Sequence, residues 1–178
     1  LERLREERGV AVRAGRPEVA YKECLAGPGE ARADFDKDYN GEVLKASVAL
    51  ALEPAARGSG LAFAPAPGLR AQAPLLAAAR RGLEAALSAG PAAGYPVVDL
   101  SARILELSAP QGRQSELAAE IAASLAARDC LRAAGTLVLE PWMRLEIVLP
   151  EELLGEAAAV VSGRSGRIES VGDGPGGK

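Results

Sequence analysis

The sequence lacks histidine and has few aromatic residues, and each shortage excludes a class of function. Its 178 residues include 2 Cys and 1 Trp, and aromatic residues make up 3% of the chain. Without histidine the chain lacks the commonest general base and metal ligand, and a Ser-His-Asp catalytic site is impossible. With so few rings, a core has to be built from Leu, Val, Ile and Ala, within a hydrophobic fraction of 48%.

The sequence also lacks a strong charge, a long apolar run and a phosphate-binding motif. The net charge is -3, which does not favour tight non-specific binding of nucleic acid. We see no signal peptide and no stretch that predicts a membrane span. No Gly-Lys-Ser/Thr run follows a strand, so Gly58-Ser59-Gly60 is interpreted as a turn. Cys24 and Cys130 have no metal-type spacing, and we expect two reduced, buried thiols, with a disulfide as the alternative.

Carboxylates at three places could bind a metal ion or act as catalytic acids. Asp34, Asp36 and Asp38 alternate as in a calcium loop, but the glycine at the sixth position and the glutamate at the twelfth are missing. A solvated loop or the face of an edge strand is therefore expected there. Asp99 and Glu106 fall on strand faces, where paired catalytic acids are one interpretation and a water-facing position is the favoured one.

Periodicity predicts a mixture of strands and helices. The predicted strands are Val10–Val12, Val43–Leu52, Val97–Leu107, two strands within Leu137–Leu149 that meet at Pro141, and Arg167–Val171. The predicted helices are Leu1–Arg8, Pro74–Ala89, Ser115–Ala134 and one that begins at Pro150. The Phe63–Gly68 segment, with two prolines, is predicted to be irregular. In the long helix we expect Leu117, Ile121, Leu125 and Leu131 to form the buried side.

Five short strings, in order along the chain, resemble strings of elongation factor G. Pro17–Glu23 (PEVAYKE) is similar to the family's PQVAYRE, and Gly90–Asp99 (GPAAGYPVVD) to GPLAGYPVVD. Ser115–Ala118 (SELA) resembles SSEMAF, the start of the family's long helix, and Leu139–Arg144 (LEPWMR) resembles LEPIMRVE. Pro150–Glu152 with Gly155 and Gly163–Gly166 resembles the PEE…GD…RRG pattern. Chance does not readily produce five such matches in order across nearly the whole chain.

The resemblance implies a layout for the chain as a C-terminal piece of a longer translational GTPase. Residues 1–22 are expected to end the third domain, and residues 23–138 to form the fourth domain, an α+β fold like domain 2 of ribosomal protein S5. Residues 139–172 are expected to begin a ferredoxin-like fifth domain, which is truncated, and residues 173–178 to form a disordered tail. Truncation predicts poor cover for the apolar faces of Leu145, Ile147 and Leu149.

In the family, two loops at the end of the fourth domain contact the tRNA–mRNA duplex, and both differ here. The aligned candidates are Asn40, Gly41 and Glu42 in the first loop, and Pro110, Gln111, Gly112 and Arg113 in the second. Glu42 takes the place of an arginine, which reverses a charge and weakens contact with phosphates. Pro110 replaces a histidine and Arg113 an aspartate. The resemblance therefore implies that the scaffold is kept and that the chemistry of the loops is changed.

Three functions follow as hypotheses. The first is the ribosome-binding region of a cytoplasmic elongation factor G-like protein that acts in GTP-dependent translocation or a related step. It needs no cofactor or small-molecule substrate in this fragment, since GTP and magnesium belong to the missing GTPase domain. The second is a divergent paralogue whose fourth domain is a protein-interaction module, with the acidic first loop against a basic protein surface. The third, an enzyme like the small-molecule kinases of this fold, lacks their phosphate loop.

Overall fold

A computed structural model describes residues 19–39, 42–110 and 114–172, and every structural statement below concerns these ranges. The strands are β1 (Lys22–Leu25), β2 (Gly29–Tyr39), β3 (Glu42–Pro54), β4 (Leu61–Pro65), β5 (Leu100–Ser108) and β6 (Thr136–Leu139). The helices are α1 (Ala73–Leu87), α2 (Ser115–Ala134) and α3 (Leu154–Gly163), the last preceded by a 3-10 turn at Glu151–Leu153. The chain divides into two compact units at Pro141/Trp142. The helix and strand predicted for residues 1–12 lie outside the described residues.

Four strands of the first unit form one sheet in the order β2-β3-β5-β4. β3 pairs antiparallel with β2 and with β5, whereas β4 pairs parallel with β5 after the chain returns through α1. Alternation in β3 directs one face into the core, which buries Leu44, Ala46, Val48, Leu50 and Leu52 as predicted. A β-bulge between Ala49 and Leu50 shifts the register against β5. Mixed strands and helices around one core confirm the predicted α+β class.

The face that α2 buries differs from the predicted one. The helix spans Ser115–Ala134 as expected, but Leu117 and Leu125 are exposed. The buried side is a row of small residues that ends on larger ones: Ala118, Ala119, Ala122, Ala123, Ala126, Ala127, Cys130 and Leu131. Small side chains let α2 approach both the sheet and α1 closely, so close packing outweighs the larger area that a leucine face would bury. Of the predicted leucines, only Leu131 is fully buried.

Three further expectations were wrong. Residues 61–65 form β4, because proline is compatible with the end of a strand at a sheet edge, where Pro65 lies. Residues 141–150 have no regular structure, so the second predicted strand after Pro141 is absent, and residues 167–171 do not form a strand. A strand needs a hydrogen-bonded neighbour, and the described part of the second unit supplies none for these segments.

The second unit consists of the extended residues that follow Pro141, the predicted helix α3 and a short return segment. An ion pair between Arg144 and Glu169 joins its first and last parts, with a 2.9 Å distance between Nη2 and Oε2. Leu145 and Ile147 are exposed, as expected, whereas Leu149 is half-buried. No helix in the described residues is both long and apolar enough to span a membrane.

Both cysteine side chains of the first unit are buried and reduced. Burial raises the pKa of the Cys130 thiol to about 11, so hardly any of it is the reactive thiolate at pH 8. We expect neither Cys24 nor Cys130 to react with an aqueous disulfide reagent at pH 8 in the folded protein, and both to react at once in denaturant. The reaction is followed by absorbance of the released thiolate, and fast native labelling of either residue would contradict the described packing.

Candidate functional site

The described residues that flank the two loops singled out from the sequence lie at one end of the sheet, which we call the tip. β2 and β3 form a hairpin whose last described pair is Tyr39 with Glu42. β5 runs toward the same end and stops at Ser108, which pairs with Ser47 of β3. The hairpin therefore continues five residues beyond β5, or about 17 Å at the rise of an antiparallel strand. The β5–α2 connection begins beside this projection.

The structure brings one residue of the second loop against the hairpin. Pro110 lines a cleft of about 270 Å³, and the rest of its lining comes from the hairpin and the end of β5: Asp34, Phe35, Asp36, Lys45, Ala46, Ser47 and Ser108. The backbone of Glu42 lies in the hairpin. The other loop candidates, Asn40, Gly41, Gln111, Gly112 and Arg113, lie outside the described residues. Of the loop candidates, the structure therefore places only Glu42 and Pro110, both at the tip.

The three aspartates of β2 occupy the face of an edge strand, as the sequence predicted. β2 is the first strand of the sheet order, and Asp34, Asp36 and Asp38 alternate with Phe35, which packs against the core. Lys45 Nζ lies 2.6 Å from Asp36 Oδ2 across the hairpin. The hydrogen bond to Asp36, followed by its charge, raises the pKa of Lys45, so this cation stays protonated. Lys45 is therefore held in an ion pair with Asp36.

A second cation of this face, Arg32, is also paired with carboxylates. Arg32 Nη1 lies 2.8 Å from Glu106 Oε2, and Arg32 Nη2 lies 3.4 Å from Asp34 Oδ1. In β3, Ala49 pairs with Arg32 on one side and with Glu106 on the other. The ion pair therefore passes over β3, and it can do so because the alanine side chain is small. Glu106 is exposed, as the sequence indicated. Since Arg32 and Lys45 are both engaged with carboxylates, the aspartate face of the hairpin has little positive charge to offer a phosphate backbone.

Asp99 corrects the sequence-based expectation of a water-facing carboxylate. Its side chain is 8% exposed and its φ of 59° is unusual for a residue other than glycine. Its Oδ1 accepts a hydrogen bond of 3.0 Å from the amide of Gly60. Bonds from the Gly58 and Gly60 amides, in that order, lower the pKa of Asp99. This carboxylate shapes the turn between β3 and β4, and nothing pairs it with Glu106 as a catalytic acid.

A buried carboxylate at the other end of the sheet was missed at the level of sequence. Glu23 is fully buried. Its Oε1 accepts hydrogen bonds from the amides of Ala93 (2.8 Å) and Tyr95 (3.1 Å). Its Oε2 accepts one from the amide of Ala92 (3.2 Å) and one from the hydroxyl of Thr136 (2.6 Å).

These four donors explain why Glu23 can stay ionised inside the protein. Burial, the largest influence, would raise the pKa of Glu23, but the bonds from Thr136, Ala93, Tyr95 and Ala92 together outweigh it and lower the pKa. A signal for this contact was present in the sequence. Glu23 ends the first of the five family-like strings, and its three amide donors belong to the second.

Metal binding finds no support in the described ranges, where no three or more His, Cys, Asp or Glu side chains come together as a possible ligand set.

Comparison with known proteins identifies relatives along nearly the whole chain. The family described as "Elongation factor G, domain IV" matches residues 17–135. Elongation factor G of Thermotoga petrophila is 36% identical over 174 residues, which are 96% of this chain and 25% of that protein. Elongation factor G of Thermotoga maritima is 35% identical with the same coverage.

A solved structure agrees with these relatives. A crystal structure of a protein from Thermus thermophilus matches with a TM-score of 0.79 at 31% identity, over 98% of this chain and 26% of that one. The fold of the first unit is therefore the one expected from the resemblance, like domain 2 of ribosomal protein S5. The chain spans about a quarter of the length of the curated relatives it matches.

Proposed function

This chain belongs to the elongation factor G family, and on that premise we propose that it is the ribosome-binding region of an elongation factor G-like translation factor. It acts in the cytoplasm, in GTP-dependent translocation or a related step of translation. Within it, residues 23–138 are domain IV and residues 139–172 begin domain V. GTP and magnesium are held by the GTPase domain of the parent protein, so this region is not itself an enzyme.

The observation that carries the proposal is the arrangement of the tip. The hairpin projects about 17 Å beyond β5, and Pro110, the first residue of the second loop, lies against it. A projection of this kind suits a confined space. In this family, that space is the tRNA–mRNA region of the ribosome, which Asn40, Gly41, Glu42, Pro110, Gln111, Gly112 and Arg113 would face.

A change of charge at the tip tests the proposal. Glu42→Arg in the parent protein removes a negative charge and adds a positive one near RNA phosphates. We expect tighter ribosome binding and a plot of log affinity against log salt that is steeper by about 1, the value for one added phosphate contact. Affinity is measured by co-sedimentation with and without GTP over a range of salt concentrations.

Glu53→Arg is the matched control, because it makes the same charge change at an exposed position at the opposite end of β3. It should leave both the affinity and its salt dependence unchanged. Equal effects of the two variants would mean that the tip does not face RNA. Pelleting that does not depend on GTP would contradict a role of the parent protein as a translational GTPase.

A second candidate function is favoured by the charges of β2. With Arg32 and Lys45 both paired to carboxylates, the aspartate face suits a basic protein surface better than a polyanion. In that case Glu42→Arg would leave ribosome binding unchanged. Reversal of Asp34 and Asp36 to lysine would instead abolish binding of a lysine- and arginine-rich protein partner.

A further inference from the structure

The first and last strands of the first unit lie side by side. β1 and β6 form a separate two-stranded antiparallel sheet, in which Lys22 pairs with Leu139 and Leu25 with Thr136. We call these two strands the neck, and the four-stranded sheet with α1 and α2 the body. The chain therefore passes into the body through one strand of the neck and leaves it through the other.

Glu23 joins the neck to the body through both its main chain and its side chain. Its amide donates to the carbonyl of Pro96 (2.8 Å), and its carbonyl accepts from the amide of Val98 (2.9 Å). Its carboxylate binds three amides of the same α1–β5 connection and the Thr136 hydroxyl on the other strand of the neck. One residue thus ties both neck strands to one loop of the body.

The space around this carboxylate is filled. A Cβ added at Gly90 would overlap the carboxylate of Glu23 and lie 2.9 Å from Val97 Cγ2. Each carboxylate oxygen accepts two of the four hydrogen bonds, so a shift of the neck relative to the loop lengthens several of them together. A side chain held on both sides in this way resists rotation as well as separation.

The neck meets the body at the end opposite the tip. Val97, beside Glu23, comes shortly before Leu100, which begins β5 and pairs with Pro54 at the far end of β3. The 13 residues of β3 span about 40 Å, so a rotation of about 10° at the neck would move the tip by about 7 Å. The angle at the neck therefore decides where the tip loops are.

We infer that Glu23 is a positioning residue that fixes the angle between neck and body, and with it the direction in which the tip loops point. The use of that direction on a ribosome rests on the proposed function. The clamp itself is a property of this chain. Glu23 makes no contact with a ligand in this role, because it acts through the loop and strand that it joins.

Residual dipolar couplings of the full chain test the clamp, since they report how rigidly two parts share one orientation. In the unmodified protein, couplings of the β1 and β6 amides should fit the alignment tensor of the body. In Glu23→Gln, an NH2 group replaces one acceptor oxygen, so the neck couplings should shrink while the body keeps its own. The remaining oxygen can still accept from the Ala93 and Tyr95 amides, so the Ala92 amide, which then faces the NH2 group, should exchange with solvent at least about tenfold faster, as expected for a lost bond to a charged group.

Two matched variants separate positioning from general destabilisation. Thr136→Val removes the hydroxyl and should also loosen the neck, whereas Thr136→Ser keeps a hydroxyl and should restore the couplings. Glu53→Gln makes the same chemical change at an exposed site and should have no effect. Neck couplings that still fit the body tensor in Glu23→Gln would overturn the inference. If that variant does not fold, Thr136→Val decides the question in the same way.

The parent protein distinguishes failure of the clamp from failure of the proposed function. If both hold, Glu23→Gln should slow GTP-dependent translocation per bound factor and leave ribosome affinity nearly unchanged. If the neck couplings are lost but translocation is not slowed, the clamp is supported and its role in translocation is contradicted. Absence of any ribosome binding would contradict the proposed function, and the couplings would still decide the clamp.

Discussion

Replacement of Gly82 by alanine is expected to destabilise the body by about 2–3 kcal/mol, in the range of overpacked cores. In a solvent-exposed helix the same change would stabilise by about 1 kcal/mol, because alanine is the better helix former. Gly82 lies in α1 where it crosses α2. A Cβ there would overlap the carbonyl oxygen of Glu120 and lie 3.1 Å from the amide nitrogen of Ser124. Both neighbours are main-chain atoms, so no side chain can turn away, and the helices have to separate.

Urea unfolding followed by circular dichroism measures the effect. Gly155→Ala is a suitable control, since Gly155 is also helical and an added Cβ would meet nothing within 4 Å. It should be neutral or slightly stabilising. If Gly82→Ala were as stable as the parent chain, the close approach of α1 and α2 would be wrong. Gly82→Leu should go further and abolish cooperative unfolding.

The same helix contact shows why the buried face of α2 escaped prediction. A search for large apolar residues at helical spacing selects Leu117, Ile121 and Leu125, because it weighs each residue by its size. The fold instead buries Ala118, Ala122 and their neighbours against the sheet and α1. Gly82 of α1 approaches the main chain of α2 at Glu120 and Ser124, and the distance between two helices depends on both partners. The sequence pattern of one helix does not include the residues of the other helix.

The strand predictions were correct where an alternating sequence pattern has a neighbouring strand to pair with. Apolar residues alternate along the whole of β3, and β3 lies between β2 and β5. The face of β3 that was predicted to be buried is therefore the buried one. The alternation of Leu145, Ile147 and Leu149 is equally clear, yet no strand forms in the described part of that unit, where no neighbouring strand is present. Conversely, β4 forms in spite of Pro65, because it pairs with β5 at the edge of the sheet. Pairing, rather than pattern, decides these cases.

The candidate site stays a prediction, and the clamp was not predicted. Alignment with the family placed Glu42 and Pro110 in two loops, whereas the structure places Glu42 at the start of β3 and Pro110 just after β5, at the same end of the sheet. Glu23 ends the first family-like string and Gly90 begins the second, 67 positions later, and the strings alone do not give their distance in the fold. Their meeting follows from the pairing of β1 with the α1–β5 connection, which only the folded topology reveals.

Gly90 therefore provides the second large prediction. Gly90→Ala should cost about 3 kcal/mol or more, as measured for buried charges that lose a partner. The added Cβ would overlap Oε2 of the Glu23 carboxylate, which would be forced off the Ala92 amide and the Thr136 hydroxyl without reaching water. Gly27→Ala is the control, because an added Cβ there would meet nothing within 4 Å, and its effect should stay within about 0.5 kcal/mol.

A double-mutant cycle shows whether the cost arises at this contact. Glu23→Ala alone leaves four donors without their acceptor and is costly. When Gly90→Ala is added to it, the new methyl enters space that the carboxylate has left, so the second change should cost much less than it does alone. We expect the sum of the two single losses to exceed the loss in the double variant by about 1–3 kcal/mol. Strictly additive losses would mean that Gly90 acts through its own backbone, and the carboxylate would then have room to move that the described packing denies it.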